Sequence, residues 1–178
     1  PMNGVILIVL LAAVLALAFA AFNYKTVKAL EEGSPLMSEI AGAIRVGASA
    51  FIRYEYWVLY TVVAVVAVIL ALVTSWQSAA AFLIGSVMSG CAGFIGMKIA
   101  TYANVRVSNE AQRTRSIGKT VKVAFRGGSV MGLSVGGFAL LGIFLVYGVF
   151  GMAMGQLTET ASVTNWIGVS FLPFPMTL

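Results

Sequence analysis

Apolar residues dominate the chain in four long runs, and charged residues fall almost entirely between them. Gly4 to Phe22 holds 19 residues without a charge, and Tyr56 to Trp76 holds 21. Ala79 to Met97 and Gly127 to Gly155 form the third and fourth runs. Each exceeds the ~18 residues that mark a candidate for crossing ~30 Å of hydrocarbon. The expected fold class is therefore all-α, a polytopic α-helical membrane protein of four transmembrane helices with helical extensions on the cytoplasmic side. Residues 1–155 are read as one four-helix module with spans 4–22, 56–76, 79–97 and 127–155. Residues 156–178 are read as a polar then apolar tail. Its apolar part, Trp166 to Leu178, is broken by Pro173 and Pro175 and is too short to span. It resembles the start of a fifth span, truncated or altered.

The stretch Met37 to Tyr56 organises the rest. Met37, Ile40, Ala41, Ile44, Ala48, Phe51 and Ile52 share one helical face at i, i+3, i+4 and i+7 spacing. Arg45, Ser49 and Arg53 occupy the opposite face. Ser34 followed by Pro35 is a helix start, a capping hydroxyl ahead of a first-turn proline. No breaker separates this segment from the apolar run that begins at Trp57. The pattern predicts one helix of about 39 residues, ~58 Å long at 1.5 Å per residue, that leaves the membrane and stands in water. A tight polar turn is expected over Ser75 to Ser78. Ile99 to Glu110 should continue the third span outward, and Lys119 to Arg126 should lead into the fourth.

Charge fixes the expected orientation. Lys25, Lys28, Arg45 and Arg53 lie between spans 1 and 2. Lys98, Arg106, Arg113, Arg115, Lys119, Lys122 and Arg126 lie between spans 3 and 4. These are all 11 basic residues of the chain. The positive-inside rule then places both termini outside and both basic loops in the cytoplasm. The apolar N-terminal run has no basic residues before it and is expected to be a retained span rather than a cleaved signal.

Composition narrows the chemistry. There is no His and no Asp, and the six acidic residues are all Glu. Cys91 is the single cysteine, so neither an internal disulfide nor a Cys metal cluster can form. Gly118-Lys119-Thr120 resembles the end of a phosphate-binding loop, but Arg113 stands where that loop needs its first Gly. Gly132-Leu133-Ser134-Val135-Gly136 matches a nucleophile elbow in the middle of a span, in a chain without a histidine base. Packing is the better reading. Magnesium and phosphate chemistry needs clustered carboxylates, and Glu31–Glu32 is the only adjacent pair. The span cores carry no ionisable conduction residue, since Lys98 and Glu55 sit at span ends. This weighs against a small multidrug exporter. Site residues are therefore expected as catalytic none, cofactor-binding none and metal none. Two triple repeats, Gly85/Ser89/Gly93 and Gly128/Gly132/Gly136, are expected to mark close helix contacts, because small residues let backbones approach in lipid. The basic loops are read first as topology signals attracted to the anionic lipid bilayer.

Several segments together are similar to a known family. Met37-Ser-Glu-Ile-Ala-Gly-Ala-Ile, with Gly47-Ala48, Ala50-Phe51 and Glu55-Tyr56, resembles the segment between the first two helices of membrane-bound, ion-translocating inorganic pyrophosphatases. Phe82-Leu83 through Gly93-Phe-Ile-Gly-Met97 resembles their third helix. Ile99 to Arg106 resembles its extension, and Ala124 to Leu133 the opening of the fourth. The resemblance covers about Pro1 to Phe150 and decays beyond. It implies an N-terminal fragment with the first four helices of a homodimeric pump in a prokaryotic cell membrane. That pump is a hydrolase and translocase that splits inorganic pyrophosphate with Mg2+ on the cytoplasmic side and moves protons, or sodium ions, outward. It further implies that the catalytic Asp- and Lys-rich motifs lie on later helices. This fragment would then be an outer supporting module, inactive alone, binding no Mg2+ and no nucleic acid, and partnered by the remaining helices of the pump. Ion choice and potassium dependence would also be set on those later helices. The alternative is a free-standing four-helix membrane scaffold or assembly protein without catalysis.

Overall fold

A computed structural model describes residues 2–148 and 150, with the side chains of Met2 and Asn3 set aside. Among the described residues the chain forms four α helices and no strand: α1 (Met2–Lys28), α2 (Pro35–Val73), α3 (Trp76–Thr114) and α4 (Ile117–Val146). All four are long and apolar enough to cross a membrane. The tail beyond residue 150, including the expected polar segment and broken apolar run, lies outside the described residues, as does the end of the fourth expected span.

Local chemistry sets the helix ends. Ser34 is extended, and its hydroxyl accepts from the Met37 N–H at 3.3 Å while Pro35 opens α2. Gly33, just before it, adopts φ 95°, a conformation that favours glycine. α2 then runs 39 residues, the predicted length. It stops sooner than expected. Val73 is its last residue, and Ser75 caps α3 by accepting from the Ser78 N–H at 3.2 Å. The turn is therefore Thr74–Ser75 rather than Ser75–Ser78, and Trp76 opens α3 instead of closing the second span. The capping hydroxyl starts a new helix at the position read as a turn. α3 reaches Thr114 and ends on Arg115, left-handed at φ 47°.

α3 and α4 form the inner pair. α4 packs closely on α3 and on α1, α2 packs on α3, and α1 touches α3 only sparsely. The helices thus lie in the order α1, α4, α3, α2. Consecutive helices run in opposite directions, so the α1–α2 and α3–α4 connections meet at one end, which carries the basic residues and is called the basic end. Two small cores hold the bundle. Val27, Ile99, Ala103 and Val130 form one toward the basic end, flanked by Tyr24 and Ile95. Ala81, Val146 and Phe150 form the other, with Ala80 and Ile84 against them. Beside the first core Asn23 on α1, itself buried, donates to the Ser129 hydroxyl on α4 at 3.0 Å.

Small residues do allow the close approaches, but not along both expected stripes. A Cβ on Gly127 would lie 2.9 Å from the Ala103 Cβ, and one on Gly137 would lie 2.8 Å from the Leu17 side chain. A Cβ on Gly96 would meet Met131 at 3.0 Å. Gly128, Gly132 and Gly136 instead face open space, with nothing within 4 Å. The repeat on α4 is displaced from the contact face by one residue, about 100° of helix rotation. On α3, Gly85 is buried and a Cβ on Gly93 would lie 3.1 Å from the Tyr56 hydroxyl of α2, whereas Ser89 is exposed beside a cleft against α4.

Candidate functional site: a charged clamp and an apolar cleft at the basic end

The connection from α1 to α2 is six residues, Ala29 to Ser34, joining two helices that each project at the basic end. The last carbonyls of α1 have no partner within their own helix. Arg106, on α3 and only 5% exposed, supplies one. Its Nε donates to the Leu30 carbonyl at 2.8 Å, and one Nη donates to the Lys28 carbonyl at 2.9 Å. The other Nη donates to its own helix at the Tyr102 carbonyl, 2.8 Å away. A guanidinium at a helix C-terminus also opposes the negative end of the helix dipole. One turn on, the Asn109 amide donates to the Glu31 carbonyl at 3.1 Å.

Glu32 closes the arrangement. Its carboxylate pairs with Arg45 on α2, accepts from the Ser38 hydroxyl at 2.9 Å, and lies 3.2 Å from Arg106. The hydrogen bond from Arg45 holds the Glu32 carboxyl below its ordinary pKa, with Ser38 and the Arg106 charge adding to it against a desolvation cost. The Tyr102 ring underlies the cations. The Arg45 guanidinium sits 4.5 Å from its centroid, Lys28 Nζ 5.4 Å and the Arg106 guanidinium 5.6 Å. Each such contact is worth about 0.5–1 kcal/mol at an exposed site. One carboxylate and one ring thus tie α1, α2 and α3 together.

The two faces of α2 do not divide cleanly. On the face opposite the apolar one, Ser49 and Arg53 are exposed, but Arg45 turns inward against Tyr102 and Glu32. Ala41 and Ile52 of the expected apolar face are buried, while Ile40, Ile44 and Phe51 are exposed. Helical periodicity located the two faces without showing that the inner one is part polar, because the carboxylate that neutralises Arg45 lies in a connection. The clamp residues Glu32, Tyr102 and Arg106 were not singled out as a cluster. The available signal was a six-residue connector between two long helices, which leaves buried carbonyls in need of a donor.

A second feature lies beside the clamp. Because α1 and α3 flank α4 with little mutual contact, a cavity of about 360 Å³ opens between them. Leu17, Ala20, Phe94, Ile95 and Phe138 are among its walls, and Lys25 and Lys98 line it at the basic end. Ser134, part of the elbow-like motif, is 1% exposed on this wall, and its hydroxyl has no hydrogen-bond partner among the described residues. It sits within α4, not on a strand-to-helix turn. Gly118 and Lys119 lie exposed in the first turn of α4.

Among the described residues, no three His, Cys, Asp or Glu side chains come together to hold a metal ion, and Glu32 is already engaged by two arginines.

The family profile described as inorganic H+ pyrophosphatase matches residues 14–173. The chain belongs to that family. Its match continues well past Phe150, where the resemblance was read as decaying, so much of the tail is also family sequence. The K(+)-stimulated pyrophosphate-energized sodium pump of Thermotoga maritima is 52% identical over 163 residues, covering 92% of this chain and 22% of the relative. A putative pump of the same description from Clostridium tetani is 41% identical over 157 residues, 88% of this chain and 23% of the relative. The K(+)-insensitive pyrophosphate-energized proton pump of Methanosarcina mazei is 41% identical over 149 residues, 80% of this chain and 21% of the relative. The chain therefore spans less than a quarter of the length of these curated relatives. Family membership together with four apolar helices makes it an integral membrane protein.

Proposed function

We propose that this chain is the N-terminal part of a pyrophosphate-energised ion pump, serving as an outer structural module while pyrophosphate and Mg2+ are handled by the remaining helices. The observation that carries the reading is the 52% identity across 163 residues with a pyrophosphate-energised sodium pump. The absence of a carboxylate cluster among the described residues supports the division of labour. In the intact pump, a homodimer in a prokaryotic plasma membrane, hydrolysis at the cytoplasmic face drives sodium or protons outward. The basic end of the bundle faces the cytoplasm, in keeping with the positive-inside rule.

Two measurements test this reading. The purified chain should release no phosphate from pyrophosphate with magnesium above a boiled control, and measurable release would overturn the structural-module assignment. The reading frame beyond Leu178 in the source genome should continue into Asp-rich membrane helices, and a frame that stops there would overturn the pump assignment. Orientation is tested in intact cells. With Cys91 changed to Ser, an impermeant thiol reagent should label a cysteine placed at Thr74 and spare one at Gln112. The opposite pattern would invert the topology.

A further inference from the structure

We propose that the cleft between α1 and α3 is a binding site for one anionic glycerophospholipid of the leaflet at the basic end. The phosphate is held between Lys25 and Lys98, and an acyl chain lies along α4. Three observations converge on this ligand. The cavity of about 360 Å³ is walled almost wholly by hydrocarbon and aromatic side chains, from Leu17 and Ala20 to Phe138. Both of its charged lining residues are lysines, and both lie at the basic end. The Ser134 hydroxyl is buried on the cleft wall with no protein partner, although a buried hydroxyl normally has one. An apolar tail, an anionic head and an ester oxygen able to accept from Ser134 answer these three features together.

Charge decides against a protein occupant. A transmembrane helix filling the cleft would cover Lys25 and Lys98 and would have to bring acids of its own opposite both. A phospholipid brings its phosphate to the interface already. Among the described residues neither lysine forms an ion pair. The Lys98 ammonium lies 5.5 Å from the Phe94 ring centroid, so its stem runs back along the cleft wall and keeps the charge beside the cleft. In the clamp nearby, Arg106 is committed to Glu32 and to backbone carbonyls, and Arg45 pairs with Glu32 while its buried Nε has no partner among the described residues.

The experiment uses the full chain in mixed micelles holding equal amounts of phosphatidylglycerol and phosphatidylcholine. Native mass spectrometry counts the lipids retained after delipidation. One phosphatidylglycerol should be retained in preference to phosphatidylcholine. Lys25→Gln and Lys98→Gln should each weaken retention about fivefold, the effect of one basic residue near an anionic surface, and Lys→Arg at both positions should restore it. Ser134→Leu, which fills the cleft, should abolish retention without changing the lysines. If it fails to fold, the rim variants still carry the test, since Lys25 is exposed and Lys98 half-buried. Equal retention of the two lipids would overturn the proposal, as would a double Lys→Gln variant that holds phosphatidylglycerol like the parent. Displacement of the lipid by free glycerol phosphate would instead reveal a site for a soluble anion. Displacement by self-association of the chain would assign the cleft to a second copy. Either result rejects the lipid.

Discussion

α2 and α3 are each 39 residues long and run side by side, yet they are built for different surroundings. Three residues of α2 are buried, Ala41, Ile52 and Ala67, against fourteen of α3. α3 places Ala81, Gly85, Ser86, Gly90, Ala92, Gly96 and Ala103 against its neighbours, with Phe82 and Ile99 filling the gaps between them. α2 presents Val, Leu and Ile to the outside through its apolar half and touches α3 at a few points, one being the Tyr56 hydroxyl donating to the Gly90 carbonyl at 2.5 Å. The difference teaches that total hydrophobicity does not choose the packed helix in a membrane, because lipid tails are as apolar as leucine. Residue size and a few polar ties choose it. α3 is the less apolar of the two and the more buried.

If polar ties hold the basic end, breaking the strongest should have the largest effect. Arg106→Met removes the donor to the Lys28 carbonyl of α1 and the Leu30 carbonyl of the connector, and leaves Glu32 with a single arginine. A loss of about 3 kcal/mol is expected, the scale for truncating one partner of a buried charged pair. It should appear as a lower melting temperature in detergent and faster amide exchange over residues 29–34. A melt like that of the parent would show that the connector needs no anchor. Tyr56→Phe should cost less, about 1 kcal/mol, for one hydrogen bond between α2 and α3.

The Glu32 tie also carries a pH dependence. Its carboxyl pKa is lowered in the folded chain, chiefly by the Arg45 hydrogen bond. A carboxyl with a depressed folded pKa contributes stability above its unfolded pKa, and that contribution is lost as pH falls through the folded value. The melting temperature should therefore drop on acidification below the ordinary Glu range, and Glu32→Gln should remove that part of the drop. Equal slopes for parent and variant would remove Glu32 from the clamp. The smallest effect should come from α2. Ile40→Ser with Ile44→Ser, on its bare outer face, should leave the stability of this chain nearly unchanged.

Much of this was legible in the sequence. Run length located four helices, the Ser34–Pro35 start and the unbroken stretch after it gave the 39-residue length of α2, and the one-sided basic charge defined the basic end. The packed face of α4 was not legible. Gly127 and Gly128 are neighbours, as are Gly136 and Gly137, so small-residue spacing fits two faces equally well, and in lipid no polar stripe separates them. The clamp was hidden for a different reason. Its acid, Glu32, lies in a connector, and Arg45 and Arg106 reach it from separate helices across 13 and 74 positions of sequence. Helical periodicity does not register such a pairing. The cleft follows from which helices touch, a property of the assembled bundle.

The central claim is that small residues at particular positions on α4, not the glycine repeat as such, hold the bundle together. Gly137→Leu and Gly132→Leu test it as a pair, by thermal stability in detergent. Gly137 lies against Leu17 and the Ala13 carbonyl, while Gly132 faces open space. Gly137→Leu should lose roughly 1–3 kcal/mol, the cost of overpacking, and Gly132→Leu should melt with the parent. A destabilised Gly132→Leu beside a parent-like Gly137→Leu would contradict the account, because it would return the contact face to the Gly128/Gly132/Gly136 repeat.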